Sequence, residues 1–550
     1  MVQSRLAALD DDARRILRAA AVFGEVFWPG AVAQLLGSAR GAAGLSPSLA
    51  ELTDRELIVR RKQSRFPDED EYTFRHALLR EGAYTMLTDE DRLLGHRLAG
   101  EWLEAHGEQD PLALAEHFER GGERPRAGLH YLRAAEQASR GADFTASIAR
   151  VRRALDGGAA DELRVQCLGM LCELHFFKME LHADALAYAE EVLRIAPPGT
   201  GPWSQGMLLK IVKSLQAGDL AEFEALLEQA GATPPAPGAA FPWSLCIAVG
   251  TFLLDVLGRV RAANALLEVL AACVRAASEQ EPHAAMVYLS LLTTRTAYAH
   301  EEPLRGLEDG IAYLQLSEAV GQRRYVELAK YAIGMNRWYL GAFEGTDRMI
   351  MDASLSDSDG GLVSSYRPFV LTWLLADCDR LDEARPWADR LIASGRARSL
   401  PVDEGRGHWA LAEVLRRAGD LDGAAAELEA ALALLRPAAP LDVPGVLATL
   451  AALRLAQGQP AEARAAAEEG LAAHDAMGAC TFFRGAFLRL VHARCLAATG
   501  EPTAAAAAIA RARARLLAIA DKIGDPEYRR SFLEEVPENR QTLELARQSL

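Results

Sequence analysis

Between residues 141 and 505 one short phrase keeps returning, and it constrains the fold more than any other feature of the chain. GDLDGA opens at Gly419, GQPAEA at Gly458 and GEPTAA at Gly500, and each puts a small alanine five residues after the glycine, at Ala424, Ala463 and Ala505. Weaker copies lie upstream: DRLDEA from Asp379, GAFEGT from Gly341, GRVRAA from Gly258, GDLAEF from Gly218 and GADFTA from Gly141. The intervals are 77, 40, 83, 38, 40, 39 and 42 residues, so the two long ones are double units. The skipped members are assigned to ELHADA at Glu180 and to a degenerate turn near His300–Pro303. A period near 40 held over this length is the signature of stacked helix pairs, since a single pair cannot bury its apolar face alone. The glycine ends one helix in a left-handed conformation, an Asp or Pro suits the first turn of the next, and the small alanine lets the two helices approach closely.

Composition agrees: half the residues are hydrophobic but only 7% are aromatic, and the abundant Ala and Leu are strong helix formers. The phrase resembles the tetratricopeptide repeat, whose glycine turn and small second-helix residues stand in the same relation. The period here is a few residues longer than the usual ~34, and HEAT-like pairs are the alternative. Trp203 and Trp243, each 15 residues ahead of a turn glycine, are expected to pack between helices. Residues 231–242 (GATPPAPGAAFP) and 352–366 (DASLSDSDGGLVSSY) are expected to be exposed loops.

The first ninety residues do not follow the period. DDDARRILRAAAVFG puts Ile16, Leu17, Ala20, Ala21 and Phe23 on one helical face behind an acidic start. WPGAVAQLLG gives a second helix, and SPSLAELTDREL a third with Ser46 as N-cap and Pro47 at the first position. LIVRRKQSRF and EYTFRH then read as two strands around the PDED turn. Three helices followed by a hairpin is the order of a winged helix. The expected architecture is therefore mainly α: a winged helix over 1–87, a helical coupling segment over 88–140, a tetratricopeptide-like solenoid over 141–525 and a helical cap over 526–550. A DNA-reading role is disfavoured by charge. The third helix carries Glu51, Asp54 and Glu56 against Arg55, the chain has a net charge of −16, and groove reading favours Arg, Lys, Asn and Gln. The basic cluster Arg60, Arg61, Lys62 and Arg65 on the wing could touch a phosphate backbone; a solvated charged hairpin is the plainer account.

Several runs carry a wider resemblance: RLAALDDDARRILRAAAVFGEVFW, EYTFRHALLREGAYTML, DRLLGHRLAGEWLE, LAEHFERGGERPRAGLHYLRAAEQA and the closing DPEYRRSFLEEVPENRQTLELA. In this order they resemble the C-terminal half of bacterial signalling ATPases of the STAND type, fused to Ser/Thr protein kinases or nucleotide cyclases. The resemblance implies a regulatory and sensing half: a winged helix that docks on a P-loop module, and a repeat array that binds a protein, peptide or small inducer. It also implies that a histidine at the strand-to-helix junction contacts ADP phosphates. His76 in TFRHALL holds that place, with Arg75 and Arg80 nearby, where eukaryotic relatives carry Met-His-Asp. A helix N-terminus and an imidazole both suit an anion. The alternative is that His76 caps the helix or packs on the hairpin.

No G-x-x-x-x-G-K-[ST] occurs in the chain, nor kinase landmarks, a G-x-S-x-G elbow or H-E-x-x-H. The expectation is a non-enzyme with no cofactor of its own, meeting ATP or ADP only through a partner P-loop domain supplied in cis or in trans. Cys167, Cys172, His175 and His182 are spaced poorly for a zinc site and are expected in the core. Seven cysteines at irregular spacing, no apolar run near bilayer length and a charged N-terminus lead to the expectation of a cytoplasmic protein. Two other readings remain: a freestanding winged-helix transcription regulator with a repeat sensor, and a plain repeat scaffold.

Overall fold

The aspartates that open the chain's acidic start do what their position dictates: Asp10 accepts a hydrogen bond from the Ala13 amide at 2.7 Å and caps helix α1, Asp11–Val22. This computed structural model describes residues 6, 9–38, 41–158, 161–277, 280–352, 362–478 and 485–548. The chain divides into two compact units, residues 1–139 with 143–167, and residues 140–142 with 168–550.

In the first unit α1 is followed by β1 (Val26–Phe27), α2 (Pro29–Leu35), a 3-10 turn (Ala42–Leu45), α3 (Ser46–Asp54), β2 (Ile58–Arg60), β3 (Tyr72–Phe74) and α4 (Ala77–Thr85). The sheet has the order β1-β3-β2 and is antiparallel throughout, with Phe27 opposite Tyr72 and Ile58 opposite Phe74. Two expectations change. The sheet has a third strand, β1, too short for its alternation to show in sequence. Ser46 is inside α3 and gives no side-chain cap, because the 3-10 turn leads directly into the helix and leaves Leu45 at the cap position. Ile16, Leu17, Ala20 and Ala21 enter the core with Phe27, Leu49, Leu52, Ile58, Phe74 and Leu79. Phe23 lies just past the end of α1 and is half-buried. Helices α5 (Asp89–Ala105), α6 (Pro111–Arg120), α7 (Arg124–Arg140) and α8 (Phe144–Asp156) follow.

From α9 (Asp161–Lys178) onward the chain is helix pairs. They are α9 with α10 (Ala183–Ile195), α11 (Gly201–Gln216) with α12 (Leu220–Ala232), α13 (Ala240–Val256) with α14 (Val260–Ala277), and α15 (Pro282–Ala299) with α16 (Pro303–Ala319). The series continues through α17 (Arg323–Tyr339), α18 (Thr346–Asp352), α19 (Leu362–Asp377), α20 (Leu381–Arg398), α21 (Pro401–Ala418) and α22 (Leu421–Ala438). It ends with α23 (Val443–Ala456), α24 (Pro460–Met477), α25 (Ala486–Ala498), α26 (Pro502–Ala520) and the closing helices α27 (Pro526–Glu534) and α28 (Pro537–Gln548). Within the second unit, first-of-pair helices stack on one another: α11 on α13, α13 on α15, α15 on α17, α19 on α21 and α23 on α25. This is a tetratricopeptide-like α-solenoid.

Each of the ten phrases marks a left-handed residue between the two helices of a pair. These residues are Ala142, Met179, Gly218, Gly258, Glu301, Gly341, Asp379, Gly419, Gly458 and Gly500, with φ between 53° and 88°. After Gly419 the Asp420 amide bonds back to the Leu415 carbonyl at 3.0 Å, and Gln459 and Glu501 do the same to Arg454 and Leu496. That six-to-one closure satisfies orphan carbonyls at the helix end. Five residues on, Ala263, Ala384, Ala424 and Ala463 are wholly buried, as are Ser147 and Thr346 at the equivalent positions. In the first phrase the left-handed residue is Ala142, one place later than Gly141, because Asp143 is the cap that binds the Ala146 amide at 2.9 Å. Trp203 and Trp243 are buried as expected, and the Trp243 indole donates to the Thr233 carbonyl at 2.8 Å. The proline-rich connection is shorter than expected: α12 runs through Ala232, and Pro242 sits in the first turn of α13, whose Ala240 amide is capped by Glu281 at 2.9 Å. Of the acidic loop, residues 353–361 lie outside the described residues and 362–366 belong to α19.

Candidate functional site

The strand-to-helix junction forms because the β3 ladder runs one residue past the strand: the Arg75 amide donates to the Leu57 carbonyl at 3.0 Å. His76 is then the N-cap of α4 in extended backbone, φ −138° and ψ 132°, and its carbonyl accepts from the Leu79 amide at 3.0 Å. Its imidazole is exposed and makes no cap hydrogen bond, so the capping role falls to the backbone alone. Arg75 pairs with Glu56 at 3.2 Å and Arg80 with Glu81 at 2.9 Å. Leu78, the second residue of α4, is 70% exposed.

The hairpin loop is held from inside by Glu71, a carboxylate only 4% exposed. It accepts from the Trp28 indole at 3.2 Å, the Arg61 guanidinium at 2.7 Å and the Arg65 amide at 2.8 Å. Glu69 reaches the N-terminus of α2, accepting from the Gly30 amide at 3.1 Å. Phe66 at the loop's far end packs edge-on between Trp28 and Trp102, which stack with centroids 5.6 Å apart, tying the loop to α5. Arg60 pairs with Asp70 and Arg65 with Glu108, both at 2.5 Å. Three of the four basic residues that could touch a phosphate backbone therefore already face carboxylates; Lys62 is exposed. Arg61, Lys62 and Arg65 line an open cleft of about 620 Å³ with Val26, Gln63, Ser64 and Glu71. A second cleft of about 470 Å³ lies on the other side of Arg65, beside Phe66 and His106. Arg75, His76 and Arg80 line neither of these two.

One constellation had no sequence signal. Tyr84 at the end of α4 meets His96 Nε2 of α5 at 2.8 Å, and His96 Nδ1 meets His117 Nδ1 of α6 at 3.1 Å. Burial, then the neighbouring His117 and Arg120, pushes His96 down to about 3. Burial and then Arg120 push His117 down to about 4. Both rings are neutral at pH 7, one Nδ1–H donating to the other Nδ1, and together they join α4, α5 and α6. In the second unit His175, Glu180 and His182 each bring one donor atom within 4.8 Å of the others. Here Lys178 already supplies a cation to Glu180 at 3.0 Å, and His182 Nδ1 accepts from the Ala185 amide at 3.3 Å. The imidazoles sit edge-on with centroids 4.8 Å apart, which is a packed turn. Cys167, Cys172 and His175 are buried as expected, but His182 is exposed, because it is the N-cap of α10 and not part of the core.

No protein-family model and no curated protein matches the chain. Among solved structures it is similar to a Rap protein complexed with competence and sporulation factor, at 11% identity and a TM-score of 0.44 over 63% of this chain and 99% of that one. It is similar to a STAND protein with a tetratricopeptide repeat sensor from Pyrococcus horikoshii at 12% identity and a TM-score of 0.29, over 96% of this chain and 66% of that one. Yeast Tom70 gives 12% identity and a TM-score of 0.35 over 84% of this chain and 96% of its own. The chain thus spans about two thirds of the STAND protein's length. The helical-repeat fold is defined by this chain's own pairing. Among the described residues no helix is long and apolar enough to cross a membrane.

Proposed function

We propose that the chain is a non-catalytic sensing module. Its helix pairs bind a protein, peptide or small inducer, and residues 1–87 are a winged helix that docks on a P-loop ATPase module of the STAND class, kinase- or cyclase-associated, supplied in cis or in trans. The observation that carries the reading is the tenfold recurrence of a left-handed turn, followed in eight of the ten by a small buried residue five places on, the device that stacks binding repeats. The order helix, short strand, helix, helix, hairpin supports the winged helix. The exposed, uncapped His76 imidazole supports a role outward from the fold: with Arg75 and Arg80 it would sense ADP held by the partner, this chain binding no nucleotide alone. An inducer shifts such a module only if it binds its two states with different affinity. The carboxylates facing Arg60, Arg61 and Arg65 weigh against the transcription-regulator reading.

The test is isolation of the tagged chain from its native host at mild salt, with mass spectrometry of what co-purifies. Recovery of a P-loop ATPase or kinase supports a regulatory subunit, and His76→Ala should then speed ADP loss from that complex while leaving the chain's own stability within about 0.5 kcal/mol. If no P-loop protein is recovered and added nucleotide changes nothing, the plain scaffold replaces this reading.

A further inference from the structure

The second unit folds back so that its last helices meet its middle. Glu301, in the turn between α15 and α16, receives Arg489 at 2.9 Å from α25 and Arg515 at 2.5 Å from α26, and Glu302 receives Lys522 at 2.6 Å. One pair further on, the Ser531 hydroxyl of α27 donates to the Leu340 carbonyl at 2.8 Å, across 191 residues of chain. Beneath these polar contacts Leu307, Ile333 and Leu340 share one apolar cluster with Leu516, Ile519 and Phe532.

The turn glycines mark the closure independently. A Cβ added at Gly218, Gly419, Gly458 or Gly500 would meet nothing within 4 Å. At Gly341 it would come within 2.5 Å of the Ser531 carbonyl, and at Gly258 within 2.7 Å of Met477 Sδ. Two turns of the same local type are thus pressed against helices that come far later in the chain.

What the coil closes over is its inner face. First-of-pair helices are buried nearly all round, and their side chains touch across the axis: Phe252 of α13 meets Tyr366 of α19 at 6.0 Å, although α15 and α17 intervene in the stack. Tyr331 of α17 lies 6.1 Å from the same ring, and Arg406 of α21 lies 5.9 Å over it while donating to Asp442 at 2.7 Å.

We propose that the C-terminal helices are a lock: docked on the 301–345 region, they hold the coil shut over this tyrosine–arginine face, an autoinhibitory contact that must release before the face is presented. The functional half of the statement rests on the reading of the array as a protein- or peptide-binding module; the lock itself does not.

The experiment is hydrogen exchange read by mass spectrometry on the full chain carrying Gly341→Ala, with Gly419→Ala as control. Both substitutions strain a left-handed backbone, and only the first drives a wedge into the docked helices. Gly341→Ala should raise exchange between roughly fivefold and a hundredfold in 526–548, in α17 and in α19, leaving 183–232 unchanged. Gly419→Ala should change none of these segments. A second pair checks the polar contacts: Glu302→Lys and Lys522→Glu should each loosen 526–548 by roughly two- to fivefold, and the double swap should restore it. The lock is overturned if Gly341→Ala matches Gly419→Ala, or if the C-terminal helices loosen while α17 and α19 stay protected. It is overturned equally if protection falls throughout 168–548, since closure is then part of one cooperative core. No partner enters the measurement, so its failure leaves the binding reading standing, and failure to recover a partner leaves the lock standing.

Discussion

The neutral pair His96–His117 makes the first unit sensitive to mild acid, and the size of the effect follows from its surroundings. His96 is 2% exposed, and its two ring nitrogens already meet Tyr84 and His117. A proton on each ring would set two N–H groups against each other at 3.1 Å. In the unfolded chain both rings titrate near 6.5, while folded they sit at about 3 and about 4. A folded pKa below the unfolded one means the unfolded state binds more protons in between, so stability falls as pH drops from about 6.5, down to about 4 for His117 and about 3 for His96, and levels off below. At pH 5 each ring contributes about 2 kcal/mol of that loss, at ~1.36 kcal/mol per unit. Because His117 is only partly buried, about 3 to 4 kcal/mol in all is expected. Hydrogen exchange in α5 and α6, corrected for intrinsic rates, should therefore quicken by roughly two to three orders of magnitude between pH 7.5 and pH 5 in the wild-type chain. In the double variant His96→Gln, His117→Gln the corrected rates should be nearly flat. Equal pH dependence in the two proteins, or NMR titration of His96 with a midpoint above 5.5, would refute the reasoning.

Two further outcomes are expected. Glu71→Ala strands the Trp28 indole, the Arg65 amide and the inner end of Arg61, and should cost the first unit about 3 kcal/mol; limited proteolysis should then cut within 61–66 far sooner than in wild type, and unchanged cleavage would sink the anchor. Ala142→Gly removes the penalty of a left-handed alanine at φ 64° and should stabilise by about 1 kcal/mol, visible as a raised midpoint in urea; a lowered midpoint would show the turn is held some other way.

What was legible in the sequence is what is local. A turn glycine, its capping aspartate and the small residue five places on lie within six residues of each other, so eight turns could be placed from the phrase and the other two from its period. Two turns slipped by one residue: Gly141 for Ala142, from weighting glycine over the cap Asp143, and Glu180 for Met179. Strand β1 was missed because two residues carry no period. The junction at His76 was legible because a β-branched, aromatic run passes abruptly into a helical one, but its partner, if it lies on another module, leaves no mark here. Glu71 and the His96–His117 pair were invisible for a different reason. Their partners are 43 and 21 residues away, and only the tertiary path of the hairpin and the α5–α6 turn brings them together.

The closure of the coil shows in the sequence of α13, although not in the phrase. A helix on the inner wall of an open superhelix has one face in water and should show polar residues at helical spacing there. Helix α13 reads AFPWSLCIAVGTFLLDV and is buried at Trp243, Ile247, Leu254 and also at Leu245, Ala248 and Val256, positions that cannot share one stripe. Its partner α14 buries only Ala263, Leu270, Ala271 and Val274, a single stripe. The same contrast separates α21, buried from Gly405 to Leu415, from α22, buried at Ala424, Leu428, Ala431 and Leu435. An array whose first helices are buried all round and whose second helices are buried along one stripe has to put something over its inner face. Here the chain's own later turns do so, and any ligand that reaches that face must displace them.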